Sequence, residues 1–246
     1  METAITKLLS EFPVIEEKCR QNRVPINLQK LTAEAEAWLS RQQKEDISYK
    51  HDLISPHGLT IELTLAELKY AFAVGTVRTW FNEKVMGWKY RHSGLPSQLA
   101  HSIGQAGEMA LSKYLQSKQI KFSGAPVVVA SKSEFRQDLT INRKSVGIKT
   151  AAKRSYLDII RRGTSYYPAK MLDGESLRVL SYPELLIQIG VDSSTGAVAI
   201  LGCITRGEIM ASPTANIFNK PAHVIPIVSY ASFDDISWLQ RLGAKE

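Results

Sequence analysis

Two long apolar runs, Leu185–Val191 and Ala197–Thr205, constrain the fold of this chain more than any other sequence feature. Most positions in them are apolar, so neither run alternates between a polar and an apolar face. That pattern is typical of strands buried on both faces in the centre of a sheet. The residues between them, 192–196, are strong turn formers. Because helical patterns also occur, we predict an α/β or α+β fold.

The first 92 residues carry mainly helical patterns. Apolar residues recur at helical spacing over 4–20, 28–44 and 65–86. The third pattern follows Thr64, which forms a capping box with Glu67, so that each side chain satisfies a backbone donor of the first turn. We therefore predict two regions, a helical N-terminal region over 1–92 and a sheet-containing region over 93–246.

From residue 97 onward, helical and strand patterns alternate. The predicted elements are a helix over 97–118, a strand over 126–130, a hairpin over 138–150, a helix over 151–162, the two central strands, a strand over 224–230 and a helix over 233–242. With 246 residues and 44% hydrophobic composition, the chain is long enough to bury a sizeable core.

The hairpin over 138–150 brings an acidic and a basic residue together. A four-residue loop over 142–145 would pair Ile141 with Val146. In that register, Asp138 lies directly opposite Lys149. We therefore expect one carboxylate and one ammonium group to share a face of the sheet.

Glu108 is the third candidate site residue. At 100° per residue, it falls at the edge of the apolar stripe of helix 97–118. Gly104 and Gly107 lie beside it and would let the helix approach a sheet closely. A carboxylate at this edge is well placed to line a pocket, although an ordinary surface glutamate would show the same pattern.

The positive charge of the chain is concentrated in one segment. Of the 31 basic and 24 acidic residues, ten and three respectively lie in 132–170, which leaves 21 of each elsewhere. This segment therefore carries the whole net charge of +7, and it also contains Asp138 and Lys149. A solvated basic face would explain the charge alone. Its coincidence with the candidate site favours a groove for a polyanion.

Several protein classes receive no support. No apolar run approaches the roughly 20 residues of a membrane span, and the N-terminus lacks a secretory signal pattern. Cys19 and Cys203 lie far apart, so we expect no structural disulfide and a reducing, cytoplasmic setting. The chain also lacks P-loop, GxGxxG, GxSxG and HExxH motifs.

Three motifs between residues 97 and 205 occur in the order typical of one enzyme superfamily. They are Gly104-x-x-Gly107-Glu108, Gln137-Asp138-Leu139 and Gly147-Ile148-Lys149-Thr150. Together with the later apolar strand 197–205, which is followed by Glu208, they resemble the PD-(D/E)XK nuclease superfamily. The resemblance implies a restriction-endonuclease-like core, in which a mixed central sheet is flanked by helices.

The resemblance also implies Mg²⁺-dependent hydrolysis of a phosphodiester, with Mn²⁺ as a substitute. Asp138 would bind the metal together with the Ile148 carbonyl and, we expect, Glu108. Two carboxylates suit Mg²⁺, which prefers oxygen ligands and keeps several waters. Lys149 would orient or activate the attacking water, or stabilise the charged transition state.

DNA is the expected partner. The candidate contacts are basic residues near the motifs, namely Arg136, Arg143, Lys144, Lys153, Arg154, Arg161 and Arg162. The N-terminal helical region, 1–92, would serve DNA contact or dimerisation. Double-strand cutting by such folds suggests a homodimer, and no membrane association is expected.

Gly147 departs from the superfamily pattern. The family's second strand usually carries an acid two residues before the lysine, and here that position is glycine. Glu108 is the favoured replacement, Asp158 is a second candidate, and an inactive site is the third explanation. In the last case, Asp138 and Lys149 would form a cross-strand ion pair.

Three functions follow from these observations. The leading hypothesis is a Mg²⁺-dependent DNA endonuclease, linked by analogy to restriction or to mobile elements. The second is a nucleic-acid-binding module that kept the fold and lost catalysis. The third is a structural or regulatory protein whose helical half binds another protein.

Overall fold

The computed structural model describes residues 1–87, 95–124, 138–173, 176–179, 182–217, 220–233 and 237–242. The predicted strand over 126–130 and the predicted DNA contact Arg136 lie outside the described residues. Within these ranges, no helix combines the length and apolarity needed to cross a membrane. Helices flank a mixed sheet, which confirms the predicted mixed α and β class.

Seven α-helices occur in the described ranges. They are α1 (Glu2–Glu11), α2 (Val14–Gln21), α3 (Leu28–Ser48), α4 (Leu65–Lys84), α5 (Ser97–Ser117), α6 (Lys153–Arg162) and α7 (Arg206–Ala211). The predicted helix over 4–20 is divided in two, because Pro13 has no N–H with which to continue α1. The Thr64–Glu67 capping box at the start of α4 is confirmed.

Eleven strands occur in the same ranges. They are β1 (Thr60–Glu62), β2 (Phe122–Gly124), β3 (Leu139–Ile141), β4 (Lys144–Ala152), β5 (Thr164–Pro168), β6 (Lys170–Asp173), β7 (Ser176–Val179), β8 (Leu185–Val191), β9 (Ala197–Thr205), β10 (Thr214–Ile217) and β11 (Lys220–Pro226). Strands β8 and β9 confirm the two predicted central strands. The strand predicted over 224–230 ends earlier, at a 3₁₀ helix over Ile227–Ser229. A second 3₁₀ helix, Ser237–Leu242, takes the place of the predicted closing helix.

The main sheet is mixed and has the order β1-β9-β8-β4-β3-β2 in the described chain. Strands β4 and β8 pair in parallel, and the other neighbours are antiparallel. A smaller antiparallel sheet has the order β10-β11-β5. All seven residues of β8 are buried, as its continuous apolar sequence requires.

The two predicted regions share one hydrophobic core. Leu39 and Phe72 of the N-terminal region belong to the same buried cluster as Leu111 of α5 and Ile187 of β8. Strand β1 also pairs with β9. Helix α6 covers a different cluster with Tyr156 and its neighbours. Residues 1–87 are thus packed into the sheet-containing part of the chain.

The turn of the β3–β4 hairpin is shorter than predicted. Ile141 pairs with Lys144 and not with Val146, which leaves Asn142 and Arg143 as a two-residue turn. Both have positive φ, 50° and 63°. A two-residue hairpin turn of the I′ type requires this conformation because it matches the strand twist. The predicted four-residue loop is therefore wrong, and so is the register in which Asp138 faced Lys149.

Lys153 is buried at the start of α6, where its ammonium group joins three elements. Its Nζ lies 2.9 Å from the Asp192 carboxylate and donates to the Asp46 carbonyl at 3.2 Å. The Asp46 carboxylate accepts the Ser193 N–H at 2.7 Å. The network ties α3 and α6 to the turn after β8. Lys153 is only 6% exposed, so the expected DNA contact by this residue is corrected to a structural ion pair.

We predict that Lys153→Met lowers the free energy of unfolding by about 3–5 kcal/mol, because it leaves Asp192 buried without its counter-charge. The matched control is Lys144→Met, which breaks the half-exposed pair with Glu184 and should cost less than about 1 kcal/mol. Urea unfolding of both variants measures the difference. Equal losses would contradict a stabilising role for the buried network.

Candidate active site

Asp138 lies just before β3 and is held against the middle of β4. Its backbone N–H donates to the Val146 carbonyl at 3.1 Å. Its carboxylate accepts the Ile148 N–H at 2.6 Å. At the end of the β3–β4 ladder, the carboxylate thus accepts a hydrogen bond that a backbone carbonyl would otherwise accept. The donor, Ile148, directly precedes Lys149 in the sequence.

Lys149 interacts electrostatically with Asp138 although the predicted register is wrong. Its side chain is exposed on β4, and its charge lowers the pKa of the Asp138 carboxyl group. An ammonium group beside a carboxylate at a solvent boundary is able to contact both water and an anionic substrate.

Helix α5 brings Glu108 to the same place. A Cβ atom on Gly107 would lie 2.2 Å from the Thr150 Oγ1, so this contact between α5 and β4 requires glycine. The next residue, Glu108, is half-buried. Burial and the Asp138 charge raise the pKa of Glu108 to about 7, against the opposing effect of Arg78. The two carboxyl groups are therefore electrostatic neighbours.

Burial also raises the pKa of Asp138 above its ordinary value. The hydrogen bond from Ile148 and the charges of Lys149 and Arg78 oppose this effect. The predicted residues Glu108 and Asp138 thus influence each other electrostatically, and Lys149 influences Asp138, although they come from a helix, a strand end and a second strand.

Arg78 is a charged neighbour of the two carboxyl groups that lies outside the three predicted motifs. It lies on α4, in the predicted N-terminal region, and its charge lowers the pKa of both Glu108 and Asp138. Helices α4 and α5 pack closely at Gly75, where a Cβ would lie 2.4 Å from the Ser102 backbone nitrogen. Because this packing is a tertiary contact, no local motif connects Arg78 with the carboxylates.

Gly147 has a steric explanation. A Cβ atom there would lie 2.6 Å from Cγ of Pro183, whose ring has little freedom to move. The position that usually carries an acid in the superfamily is thus blocked by the segment before β8. The other proposed replacement, Asp158, lies on α6, where its carboxylate is 2.7 Å from Arg161.

A cleft of about 320 Å³ opens beside Glu108. It follows one face of α5 and reaches the edge of the sheet at Gly124 and Leu139. Polar side chains, including Gln105 and Ser112, line it. Glu108 is therefore accessible from a cavity large enough for a small polar ligand.

The predicted DNA contacts have different environments. Arg143 and Arg154 are exposed. Lys144 is paired with Glu184 at 2.8 Å, and Arg161 with Asp158. The exposed Arg162 lies over the Tyr166 ring, 5.1 Å from its centroid. These residues keep basic groups on the surface, in contrast to the buried Lys153.

The donor set fits a hard divalent cation. Two neighbouring carboxyl groups, both with raised pKa values, gain from a cation that offsets their mutual repulsion. No cluster of three or more His, Cys, Asp or Glu side chains suitable for a metal occurs in the described ranges. Remaining ligands would thus be water and backbone carbonyls, which Mg²⁺ accepts.

Comparisons of the chain with models of known protein families, with curated proteins and with solved structures found no match.

We predict that Gly147→Ala lowers the free energy of unfolding by about 1–3 kcal/mol, because the added methyl group meets Pro183. In a Pro183→Ala background, which removes Cγ, the same substitution should cost less. A double-mutant cycle by urea unfolding measures this coupling. Gly104→Ala, where the Cβ meets no atom within 4 Å, is the control. An equal cost in both backgrounds would contradict the steric explanation.

Proposed function

We propose that the protein is a Mg²⁺-dependent endonuclease that hydrolyses DNA phosphodiester bonds on a restriction-endonuclease-like core. The observation that carries this proposal is the electrostatic interaction of the Glu108 and Asp138 carboxyl groups, together with the charge of Lys149 acting on Asp138. The basic excess of segment 132–170 supports a polyanionic substrate. We further propose a cytoplasmic, restriction- or mobile-element-linked enzyme that acts as a homodimer, with residues 1–92 serving DNA contact or dimerisation.

In this proposal, Glu108 and Asp138 hold the cation with the help of the Ile148 carbonyl. The bound Mg²⁺ supplies a Lewis acid that lowers the pKa of water and stabilises phosphate charge. The Ile148 N–H fixes the orientation of the Asp138 carboxylate through their 2.6 Å hydrogen bond. Only part of the Asp138 lone pairs is used by that bond, which leaves oxygen donors for a ligand.

Lys149 contributes charge and orientation in the proposed reaction. Its exposed ammonium group has three N–H donors, which suit phosphate oxygens or an attacking water. Arg78 reduces the repulsion between the two carboxylates before a cation binds, because its charge favours the ionised form of both.

A binding module without catalysis is the second candidate function. The observation that favours it is the blocked position at Gly147, where Pro183 occupies the space of the usual second acid. This candidate binds DNA in a salt-dependent manner and leaves it intact.

We predict that the protein nicks or cuts plasmid DNA in Mg²⁺ or Mn²⁺. Asp138→Ala and Lys149→Ala should each reduce the rate by at least about 100-fold, because each removes a group that touches the cation or the phosphate. Gel assays with purified protein measure the rates, and Asp158→Asn and Lys118→Ala are the matched controls.

Loss of activity in Asp158→Asn as well as in Asp138→Ala and Lys149→Ala, with activity kept in Glu108→Gln, would identify Asp158 as the second carboxylate instead of Glu108. Salt-sensitive DNA binding without cleavage would favour the inactive module. Neither binding nor cleavage on several DNA substrates would contradict both candidates.

We predict that Mg²⁺ binds about tenfold more weakly at pH 6 than at pH 8, because Glu108, with a pKa of about 7, must lose its proton to bind the cation. Glu108→Gln should bind Mg²⁺ weakly and without this pH dependence. Isothermal titration calorimetry at the two pH values measures both affinities. Equal wild-type affinities would contradict the role of Glu108.

The same raised pKa has a consequence that does not require the metal. Glu108 keeps its proton to higher pH in the folded state than in the unfolded state, so its contribution to stability is lost as the pH rises toward 7. Wild-type protein should therefore lose stability relative to Glu108→Gln between pH 5 and pH 8, which thermal unfolding at the two pH values measures.

A further inference from the structure

A buried chain of hydrogen bonds ends on the backbone of Lys149. The Gln188 side-chain amide donates to the Lys149 carbonyl at 2.8 Å. The Gln188 amide oxygen accepts the Tyr167 hydroxyl at 2.9 Å. The Tyr167 hydroxyl in turn lies 2.5 Å from the Tyr230 hydroxyl. Four residues from β4, β8, β5 and the segment after β11 are thus joined.

The position of Gln188 makes this hydrogen-bond chain unusual. It lies between Ile187 and Ile189 on a fully buried strand, and only 4% of its surface is exposed. An uncompensated amide at such a position costs several kcal/mol, so an apolar residue would be the simpler choice for the core. Both ends of the Gln188 amide have partners, which offsets this cost and fixes the amide orientation.

The three hydrogen bonds share one donor-to-acceptor direction, from Tyr230 through Tyr167 and Gln188 to Lys149. The single hydroxyl hydrogen of Tyr167 goes to Gln188, so the Tyr230 hydroxyl donates to the Tyr167 oxygen. Tyr167 and Gln188 each accept one hydrogen bond and donate the next, an arrangement in which the hydrogen bonds strengthen one another. Tyr167 and Tyr230 are 3% and 4% exposed, so water does not compete for them.

The hydrogen-bond chain ends at Lys149, which supplies the positive charge of the proposed site. Lys149 and Gln188 are register partners in the parallel β4–β8 pair. Directly after Gln188, the pairing of β8 with β9 shifts register. The Lys149 side chain is exposed, and the hydrogen bond at its carbonyl fixes the backbone from which that side chain extends.

We propose that Gln188, oriented by Tyr167 and Tyr230, is a positioning residue that fixes the Lys149 peptide, and with it the point on β4 from which the Lys149 side chain extends into the proposed site. This inference rests on the proposed nuclease function and deepens it. It assigns to the small sheet, through Tyr167 of β5, a part in shaping the candidate site. Gln188 acts through Lys149 and does not itself touch the substrate.

The test uses three variants of the full chain. Gln188→Met keeps the length of the side chain and removes both hydrogen bonds of the side-chain amide. Tyr167→Phe removes only the hydroxyl that orients Gln188. Tyr182→Phe is the matched control, because this neighbouring tyrosine also loses a hydroxyl hydrogen bond, a partly buried one to the Pro168 carbonyl, which lies outside the hydrogen-bond chain to Lys149. Thermal unfolding confirms that each variant is folded before it is assayed.

Two readouts are measured. In plasmid cleavage, Gln188→Met should lower kcat about tenfold with KM unchanged, since small misplacements of a reacting group carry costs of this size. Tyr167→Phe should lower kcat less, and Tyr182→Phe should cleave like the wild type. In ¹³C NMR spectra, the Lys149 carbonyl resonance should move in Gln188→Met and Tyr167→Phe and stay in Tyr182→Phe.

The NMR readout separates this inference from the proposed function. If the wild type cleaves and Gln188→Met cleaves at the same rate, the positioning role is overturned. If the wild type does not cleave, the nuclease proposal fails, and the Lys149 resonance decides whether Gln188 holds this peptide. An unmoved Lys149 resonance in a folded Gln188→Met protein overturns the inference, and so does an equal change in Tyr182→Phe. If Gln188→Met does not fold, Tyr167→Phe decides by the same criteria.

Discussion

The contact between helix α5 and strand β4 is the constraint on which the candidate site depends. At Gly107 the helix approaches so closely that a Cβ atom would lie 2.2 Å from the Thr150 side chain. Glu108 follows directly and is thereby brought to the end of the β3–β4 ladder, where Asp138 is held by the Ile148 N–H. A larger residue at 107 would move the helix away from the sheet and separate the two carboxylates. The close approach of α5 to β4 thus places the Glu108 carboxyl group within electrostatic reach of Asp138.

The site carries an energetic cost that the rest of the fold has to offset. Two neighbouring carboxyl groups are partly withdrawn from water, which raises the pKa of both. Arg78 and Lys149 reduce that cost through their charges. The shared hydrophobic core, and the buried ion pair of Lys153 and Asp192, supply stability elsewhere. Such a division, an electrostatically costly polar site on a well-packed scaffold, is common in proteins that bind charged ligands.

The central strands could be predicted from sequence because β8 and β9 lack any alternation, and the helix starts because caps are local signals. The hairpin register could not, since Asn142 and Arg143 form a tight turn without the glycine that usually marks one. The basic composition of segment 132–170 predicted that Lys153 lies on a DNA-binding surface. Its burial could not be predicted, because its ion-pair partner Asp192 is remote in sequence. The proximity of Arg78 likewise depends on helix packing that no local pattern encodes.

In the proposed enzyme, Glu108 and Asp138 form one cation site. Addition of Mn²⁺ to ¹⁵N-labelled protein tests it directly, because a bound paramagnetic ion broadens amide signals within its reach. We predict that the amide signals of Met109, beside Glu108, and of Ile148, bonded to Asp138, broaden together with the same midpoint concentration. Broadening of only one of them, or two clearly different midpoints, would contradict a shared site.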